Sequence, residues 1–177
     1  PFAEEVREAN RIDGLPALEW VYGRFEGEEF NNLVRRFIVN TFKREEYRAV
    51  APLLDSRFKV MEQRSNWSER HVAYIAGLGT FSLSRSLITE KGCAGRYGSV
   101  VVTAELTPSQ RKYSEREDYC NLCGQCIVRC PVGAISEKGK DIETCADYID
   151  NVIMPRYKPR YGCGKCQTGV ACEYEIP

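Results

Sequence analysis

The chain has 177 residues, of which 43% are apolar and 28% charged, a composition typical of a soluble globular protein with one ordinary domain or two small ones. Its 25 basic residues balance 25 acidic ones, so no overall field attracts nucleic acid, and we expect no nucleic-acid partner. No apolar run approaches the roughly 20 residues that span a bilayer, and residues 1–10 do not have the features of a signal segment.

The first half of the chain predicts one long helix and one short strand. Apolar side chains recur at helical spacing over residues 31–42, which predicts a helix with that stripe in the core. Arg35 and Arg36 fall outside the stripe and are expected on a solvated face. Residues 47–54 then predict a short strand, which Pro52 interrupts or places at a sheet edge.

A second helix and a second strand follow. Asn66 is predicted to cap the free amides of a helix, with Glu69 reaching back to the cap. The helix is expected to end at Gly77 and Gly79. Residues 98–104 are rich in β-branched side chains and predict a strand.

A change in composition divides the chain. Residues 107–118 are polar and carry a proline, and everything beyond them is organised around cysteine. We therefore predict an α/β domain over residues 1–106, a possible cofactor-binding part, and a ferredoxin-like domain over residues 107–177. The predicted fold class is α+β.

The nine cysteines are unevenly placed. Eight lie between residues 120 and 172, and the first 92 residues contain none. An odd number in this distribution argues against a disulfide framework and favours metal ligation in a reduced, cytoplasmic compartment.

Four of these cysteines form the bacterial ferredoxin run C-x2-C-x2-C-x3-C-P, which is typical of [4Fe–4S] proteins. Two residues between thiolates allow a tight loop around one corner of the cluster, and Gly124 eases that turn. Zinc is the alternative for a single C-x2-C pair but fits this longer run poorly. The run consists of Cys120, Cys123, Cys126 and Cys130, followed by Pro131.

The remaining four cysteines complete the ligands for a second [4Fe–4S] cluster. In two-cluster ferredoxins the fourth cysteine of the run ligates the other cluster. We therefore predict that cluster one is held by Cys120, Cys123, Cys126 and Cys172. Cluster two is then held by Cys130, Cys145, Cys163 and Cys166. An exchange of roles between Cys166 and Cys172 is an open alternative. Cys145 is expected on a helix over residues 144–154.

The cysteine pattern resembles the iron–sulfur part of epoxyqueuosine reductases and the related reductive dehalogenases, and the likeness covers residues 47–177. It rests on the ferredoxin run, the lone Cys145, the terminal Cys163-Gly-Lys-Cys166-Gln167, and the upstream Ala76-Gly77-Leu78-Gly79 turn. The resemblance implies a nitroreductase-like α/β part, either whole or truncated, and a cobalamin that receives electrons from the clusters.

Other residues have both a functional and an ordinary interpretation. His71, the only histidine, is more commonly structural than a cobalt ligand or proton donor. Cys93 is either a reactive thiol or an apolar filler, and it is not expected to be a ligand. The glycine-rich residues 92–98 form either an anion cradle or a tight loop. The basic and tyrosine-rich residues 156–161 either meet a partner or cover the clusters.

Together these features predict an iron–sulfur oxidoreductase that passes electrons to an unidentified small-molecule substrate. No catalytic residue is predicted. The alternatives are an electron carrier or redox subunit that serves a partner protein, and a module whose clusters are only structural.

Overall fold

The computed structural model describes residues 1–177 as a mixture of helices and small sheets. The strands pair in four two-stranded antiparallel sheets. The helices are α1 (Glu4–Ala9), α2 (Leu18–Arg44), α3 (Glu69–Ile75), α4 (Gln125–Val128), α5 (Ile142–Tyr148) and α6 (Met154–Tyr157). The strands are β1 (Ala49–Val50), β2 (Val60–Met61), β3 (Arg64–Ser65), β4 (Gly79–Phe81), β5 (Leu87–Thr89), β6 (Val101–Val102), β7 (Ile135–Ser136) and β8 (Gly139–Lys140).

The mixture of helices and short antiparallel strands confirms the α+β class. The predicted strands around residues 47–54 and 98–104 are present as β1 and β6, which pair with each other. Pro52 ends the first of them by starting a 3-10 turn, Pro52–Leu54. The four small sheets do not confirm the nitroreductase-like arrangement that the resemblance implies.

Helix α2 is longer than predicted, and the prediction of its buried face was wrong. Phe30, Leu33 and Phe37 are 68%, 60% and 70% exposed, whereas Arg35 is 2% exposed. The cause is a long-range contact: Arg35 donates a hydrogen bond of 2.8 Å to the carbonyl of Tyr97. Helical periodicity predicts the helix correctly, but it does not reveal which side of the helix packs against the rest of the chain.

The start of α3 also differs from the prediction. Asn66 does not cap the helix, because its side chain bonds Arg57 O and Lys59 N in the turn that carries β2 and β3. The helix begins one residue after Ser68. Glu69 does not reach back to the cap and instead binds Arg35. The predicted end is confirmed, since Gly77 adopts a φ of +84°.

The core is small and contains thiols. Only 29 of the 177 residues are buried, so apolar burial alone gives this chain limited stability. The main apolar cluster joins two cysteines to residues from β5, β7 and the C-terminal segment. Its members are Ile88, Cys93, Cys126, Ile135 and Val170.

The N-terminal residues pack on the cysteine-rich part of the chain. Asn10 donates from its side chain to Cys163 O at 3.2 Å, and Tyr157 donates to Pro16 O at 2.9 Å. Many contacts therefore cross the predicted boundary near residue 107, and the division into two domains stays a prediction. No helix has the length and apolar character needed to cross a membrane.

Candidate metal centre

The ferredoxin run folds as a tight loop that leads into a short helix. Leu122 and Gly124 adopt φ angles of +55° and +73°, and the glycine directly precedes α4. The amide of Cys123 donates to Asn121 Oδ1 at 3.1 Å, which fixes the turn between the first two cysteines. The predicted role of Gly124 in the turn is confirmed, because a positive φ costs glycine little.

Cys145 lies on α5, as predicted, and a cap fixes where that helix begins. Asp141 Oδ1 accepts hydrogen bonds from the amides of Glu143 and Thr144. The hairpin of β7 and β8 directly precedes this cap. Capping satisfies amides that would otherwise have no partner in the first turn, and so it orients the face that carries Cys145.

N-terminal residues hold the loop between Cys163 and Cys166 in place. No sequence pattern predicts these contacts. Gly164 has a φ of +67°, and a Cβ there would lie 1.9 Å from the buried ring of Trp20. Lys165 Nζ is buried and donates to Asn10 O at 3.1 Å and Ile12 O at 2.6 Å. No local sequence signal links residues about 150 positions apart, so only the fold could reveal this support.

Four of the eight predicted ligands line one cavity of about 390 Å³: Cys130, Cys145, Cys163 and Cys166. The first of them belongs by sequence to the ferredoxin run, yet the cavity lining contains none of its three companions there. Within the described chain, no three metal-ligating side chains converge closely enough to hold a single ion. A cubane cluster instead spreads its ligands over four corners, so this spacing is compatible with a cluster.

The other four predicted ligands do not line this cavity. Cys126 is buried in the main apolar cluster, and Cys120 and Cys172 pack against it together with the cavity cysteines Cys130 and Cys166. Cys123 is exposed at the surface. Membership of the cavity lining thus divides the eight cysteines into two groups of four, and their assignment to particular clusters stays a prediction.

Buried thiols raise the cost of forming thiolates. Burial raises the pKa of Cys163 to about 11, and the nearby Cys166 and Cys145 thiols add to it. Burial likewise raises the pKa of Cys126 to about 11, with smaller effects from Cys166 and Cys172. A cationic iron–sulfide core among these sulfurs would offset this cost, so the donor set suits a thiolate-bound cluster.

Cys93 lies beside a predicted ligand despite its distance in sequence. Its Sγ is 3.6 Å from Cys172 Sγ, and its amide donates to Cys172 O at 2.8 Å. The hydrogen bond to Cys172 and then burial raise the pKa of Cys93. A neutral Cys93 thiol can therefore donate to a Cys172 thiolate.

The cavity lining is also rich in basic side chains, a feature that the sequence does not predict as a whole. It includes Arg24, Arg70 and Arg96. Burial lowers the pKa of Arg24 to about 10, and the nearby charge of Arg96 adds to that effect. Only the glycine-rich segment 92–98 was recognised in advance as a possible anion cradle, and Gly95, Arg96 and Tyr97 do line the cavity.

Comparison with known proteins agrees with the cysteine pattern. A family model described as a 4Fe-4S binding domain matches residues 114–136. The chain is an iron–sulfur protein. It has at least one [4Fe–4S] cluster.

The chain is also similar to the epoxyqueuosine reductase of Listeria monocytogenes serovar 1/2a (strain ATCC BAA-679 / EGD-e). The two are 30% identical in an alignment 132 residues long, and the match covers 69% of this chain and 33% of that reductase. The chain thus spans about a third of the length of the curated relative it matches. No solved structure matches it.

Two of the ambiguous sequence features of this iron–sulfur protein lie outside the cavity lining. His71 is exposed, and its Nδ1 is 2.8 Å from Ser68 Oγ. Of the basic segment 156–161, Arg160 pairs with Glu26 on α2 and stacks over Tyr22. Tyr161 packs edge-on against Phe25. The segment thus covers α2 through its tyrosine and arginine side chains.

The cavity by itself is too small to enclose the cobalamin that the family resemblance implies. About 390 Å³ is at the lower end of the range for small-molecule sites, about 300–1,000 Å³. The four cysteines in the lining reserve part of that space for a cluster. A corrinoid ring system is too large to share the remainder, so no chemical step is assigned to cobalamin.

Proposed function

We propose that this iron–sulfur protein is an oxidoreductase similar to epoxyqueuosine reductases, which passes electrons through two [4Fe–4S] clusters to a small-molecule substrate. The observation that carries the proposal is the cavity of about 390 Å³ with four cysteines in its lining. A cluster held there would border open space large enough for a small ligand. Electron transfer to that ligand would then need no movement of the chain.

The proposed ligand sets follow from which cysteines line the cavity. Cluster two is assigned to the four cavity cysteines, Cys130, Cys145, Cys163 and Cys166. Cluster one is assigned to Cys120, Cys123, Cys126 and Cys172, which pack beside it. Cys166 is near enough to raise the pKa of Cys126, after the larger effect of burial, so the two clusters would be close neighbours. A short distance between the two clusters favours electron transfer from one to the other.

Electrons are proposed to enter at cluster one. Cys123 is exposed, and two apolar neighbours, Leu122 and Val128, are 63% and 87% exposed. An exposed apolar patch at a cluster edge is suited to a transient contact with a redox partner protein. Cluster two, at the cavity, would then be the exit. A chain with a formal net charge of zero offers no general attraction to nucleic acid, so the proposed substrate is a small molecule.

The same exposed edge supports a second candidate function. An electron carrier or redox subunit needs an accessible cluster and a partner surface but no substrate cavity. A module with purely structural clusters needs neither. All three roles require a reducing environment for the thiolates, and we propose a cytoplasmic one.

Anaerobic purification followed by reductive titration tests the proposal. We expect visible absorption bleached by reductant in two steps, with paramagnetic signals from both clusters after reduction. Clusters that do not respond to reductant would contradict it and favour the structural role. Extraction of a bound flavin or corrinoid from the same sample would show a further cofactor that the cavity does not account for.

A further inference from the structure

Arg24 is a half-buried cation in the cavity lining that has no hydrogen-bond or ion-pair partner. It makes no ion pair with any carboxylate, and its Nε has no hydrogen-bond partner. The guanidinium lies over the Tyr161 ring, 5.8 Å from its centroid, and Nε lies against Gly162, where a Cβ would be only 2.7 Å away. Packing thus holds the charged group in place with its hydrogen-bonding capacity unused.

The cavity as a whole has more positive than negative side chains. Its lining includes six cations and two carboxylates, Glu28 and Glu69. Glu28 is already shared between Arg35 and Arg96. A cluster held by four thiolates would offset fewer than four charges, because its iron–sulfide core is itself cationic. Positive charge therefore remains after the cluster is counted.

Unpartnered polar atoms are concentrated at the same place. Of the six buried side-chain atoms without a partner, three belong to residues of this lining: Arg24 Nε, Arg35 Nε and Glu69 Oε2. In the same wall, the amides of Arg96 and Tyr97 make no backbone hydrogen bond. The protein itself shields these three side-chain atoms, so the groups left for a ligand are the two amides and the terminal nitrogens of Arg24, which are not among the buried atoms.

We propose that this cavity binds an oxyanion, a phosphate or carboxylate group of the substrate, and that Arg24 is the side chain that holds it beside cluster two. The inference rests on the proposed function for the identity of the ligand as a substrate. An arginine fork suits both oxyanions, because it can donate two parallel hydrogen bonds.

Binding of two simple probes tests the site without an activity assay. Equilibrium dialysis of the anaerobically purified chain would use inorganic phosphate in one arm and succinate in the other, at constant ionic strength in potassium chloride. We expect at least one probe to bind at a single site per chain. Arg24→Gln should weaken that binding about tenfold or more. Arg70→Gln provides a second variant at a more exposed position in the same wall.

Arg36→Gln is the matched control, because this neighbour of Arg35 on α2 is exposed and lies outside the lining. It should bind the probe like the unaltered chain. Absence of binding for both probes would overturn the proposal, as would unchanged binding in Arg24→Gln and Arg70→Gln. A changed cluster spectrum in Arg24→Gln, with no effect of either probe, would show that Arg24 serves the cluster instead.

Iron and sulfide measured on each sample separate this inference from the proposed function. Arg24-dependent binding by a chain with a single cluster would support the oxyanion site and contradict the two-cluster proposal. Two reducible clusters without probe binding would support the two-cluster proposal and contradict the oxyanion site.

Discussion

Cys93 and Cys172 lie 79 positions apart in sequence, yet their sulfur atoms are 3.6 Å apart. Cys172 belongs to the four cysteines proposed to hold cluster one, so Cys93 is a fifth thiol beside them. The hydrogen bond to Cys172 and burial raise the pKa of Cys93, which favours Cys93 as the protonated member of the pair. We therefore predict that Cys172 is the ligand and that Cys93 donates a hydrogen bond to it.

The first prediction compares these two thiols. Cys93→Ser should keep about eight iron and eight sulfide per chain, whereas Cys172→Ser should lose about half of both. Serine retains a hydroxyl that can donate in place of the Cys93 thiol. Iron and sulfide analysis of the two anaerobically purified variants provides the measurement. Loss of half the iron from Cys93→Ser would mean that Cys93, and not Cys172, is the cluster ligand.

The second prediction concerns the crossed ligation by Cys130. Because Cys130 and Cys145 line the same cavity, Cys130→Ser and Cys145→Ser should damage the same cluster. Their residual paramagnetic resonance spectra after reduction should then match. Cys123→Ser, in the same sequence run as Cys130, should alter the other cluster and leave a different spectrum. Identical residual spectra for Cys130→Ser and Cys123→Ser would mean that the run holds one independent cluster.

The third prediction concerns the fit of Trp20 against Gly164. Gly164→Ala should destabilise the chain by roughly 3 kcal/mol, through backbone strain and overlap with the buried ring. Gly14→Ala is the matched control, since Gly14 has a similar φ of +74° but nothing within 4 Å of its Cβ position. The control should lose only the strain, about 1–2 kcal/mol. Urea unfolding under anaerobic conditions gives both values, and equal losses would show that the ring contact is unimportant.

The fourth prediction uses two consecutive arginines of α2. Arg35 is 2% exposed and bonds Glu28, Glu69 and the Tyr97 carbonyl, whereas Arg36 is exposed. Arg35→Met should lower the free energy of unfolding by about 2–3 kcal/mol, because it removes the charge-assisted hydrogen bonds to two half-buried carboxylates, Glu28 and Glu69. Arg36→Met should change it by no more than about 0.5 kcal/mol. Similar effects of the two substitutions, measured by urea unfolding, would refute the buried role of Arg35.

Sequence patterns revealed the parts of this site whose chemistry is local. The spacing of the ferredoxin run predicted the turn at Gly124, and the lone Cys145 was correctly expected on a helix. Contacts between distant segments have no such pattern. Nothing near Trp20 indicates that it packs on Gly164, and the periodicity of α2 did not reveal that Arg35 faces inward.

The basic lining of the cavity was missed for the same reason. Its arginines come from α2, from the start of α3 and from the glycine-rich loop, each of which is unremarkable alone. Only the loop had a local signal, because glycines near a basic residue are typical of anion cradles. The charge surplus arises when the fold brings the three segments together.

The most direct test of the account is the iron and sulfide content of the anaerobically purified chain, with zinc measured on the same sample. Two adjacent groups of four cysteines predict about eight iron and eight sulfide per chain and no stoichiometric zinc. Four iron and four sulfide would mean that only one of the groups holds a cluster. Stoichiometric zinc at the cavity cysteines would contradict electron transfer through the second site.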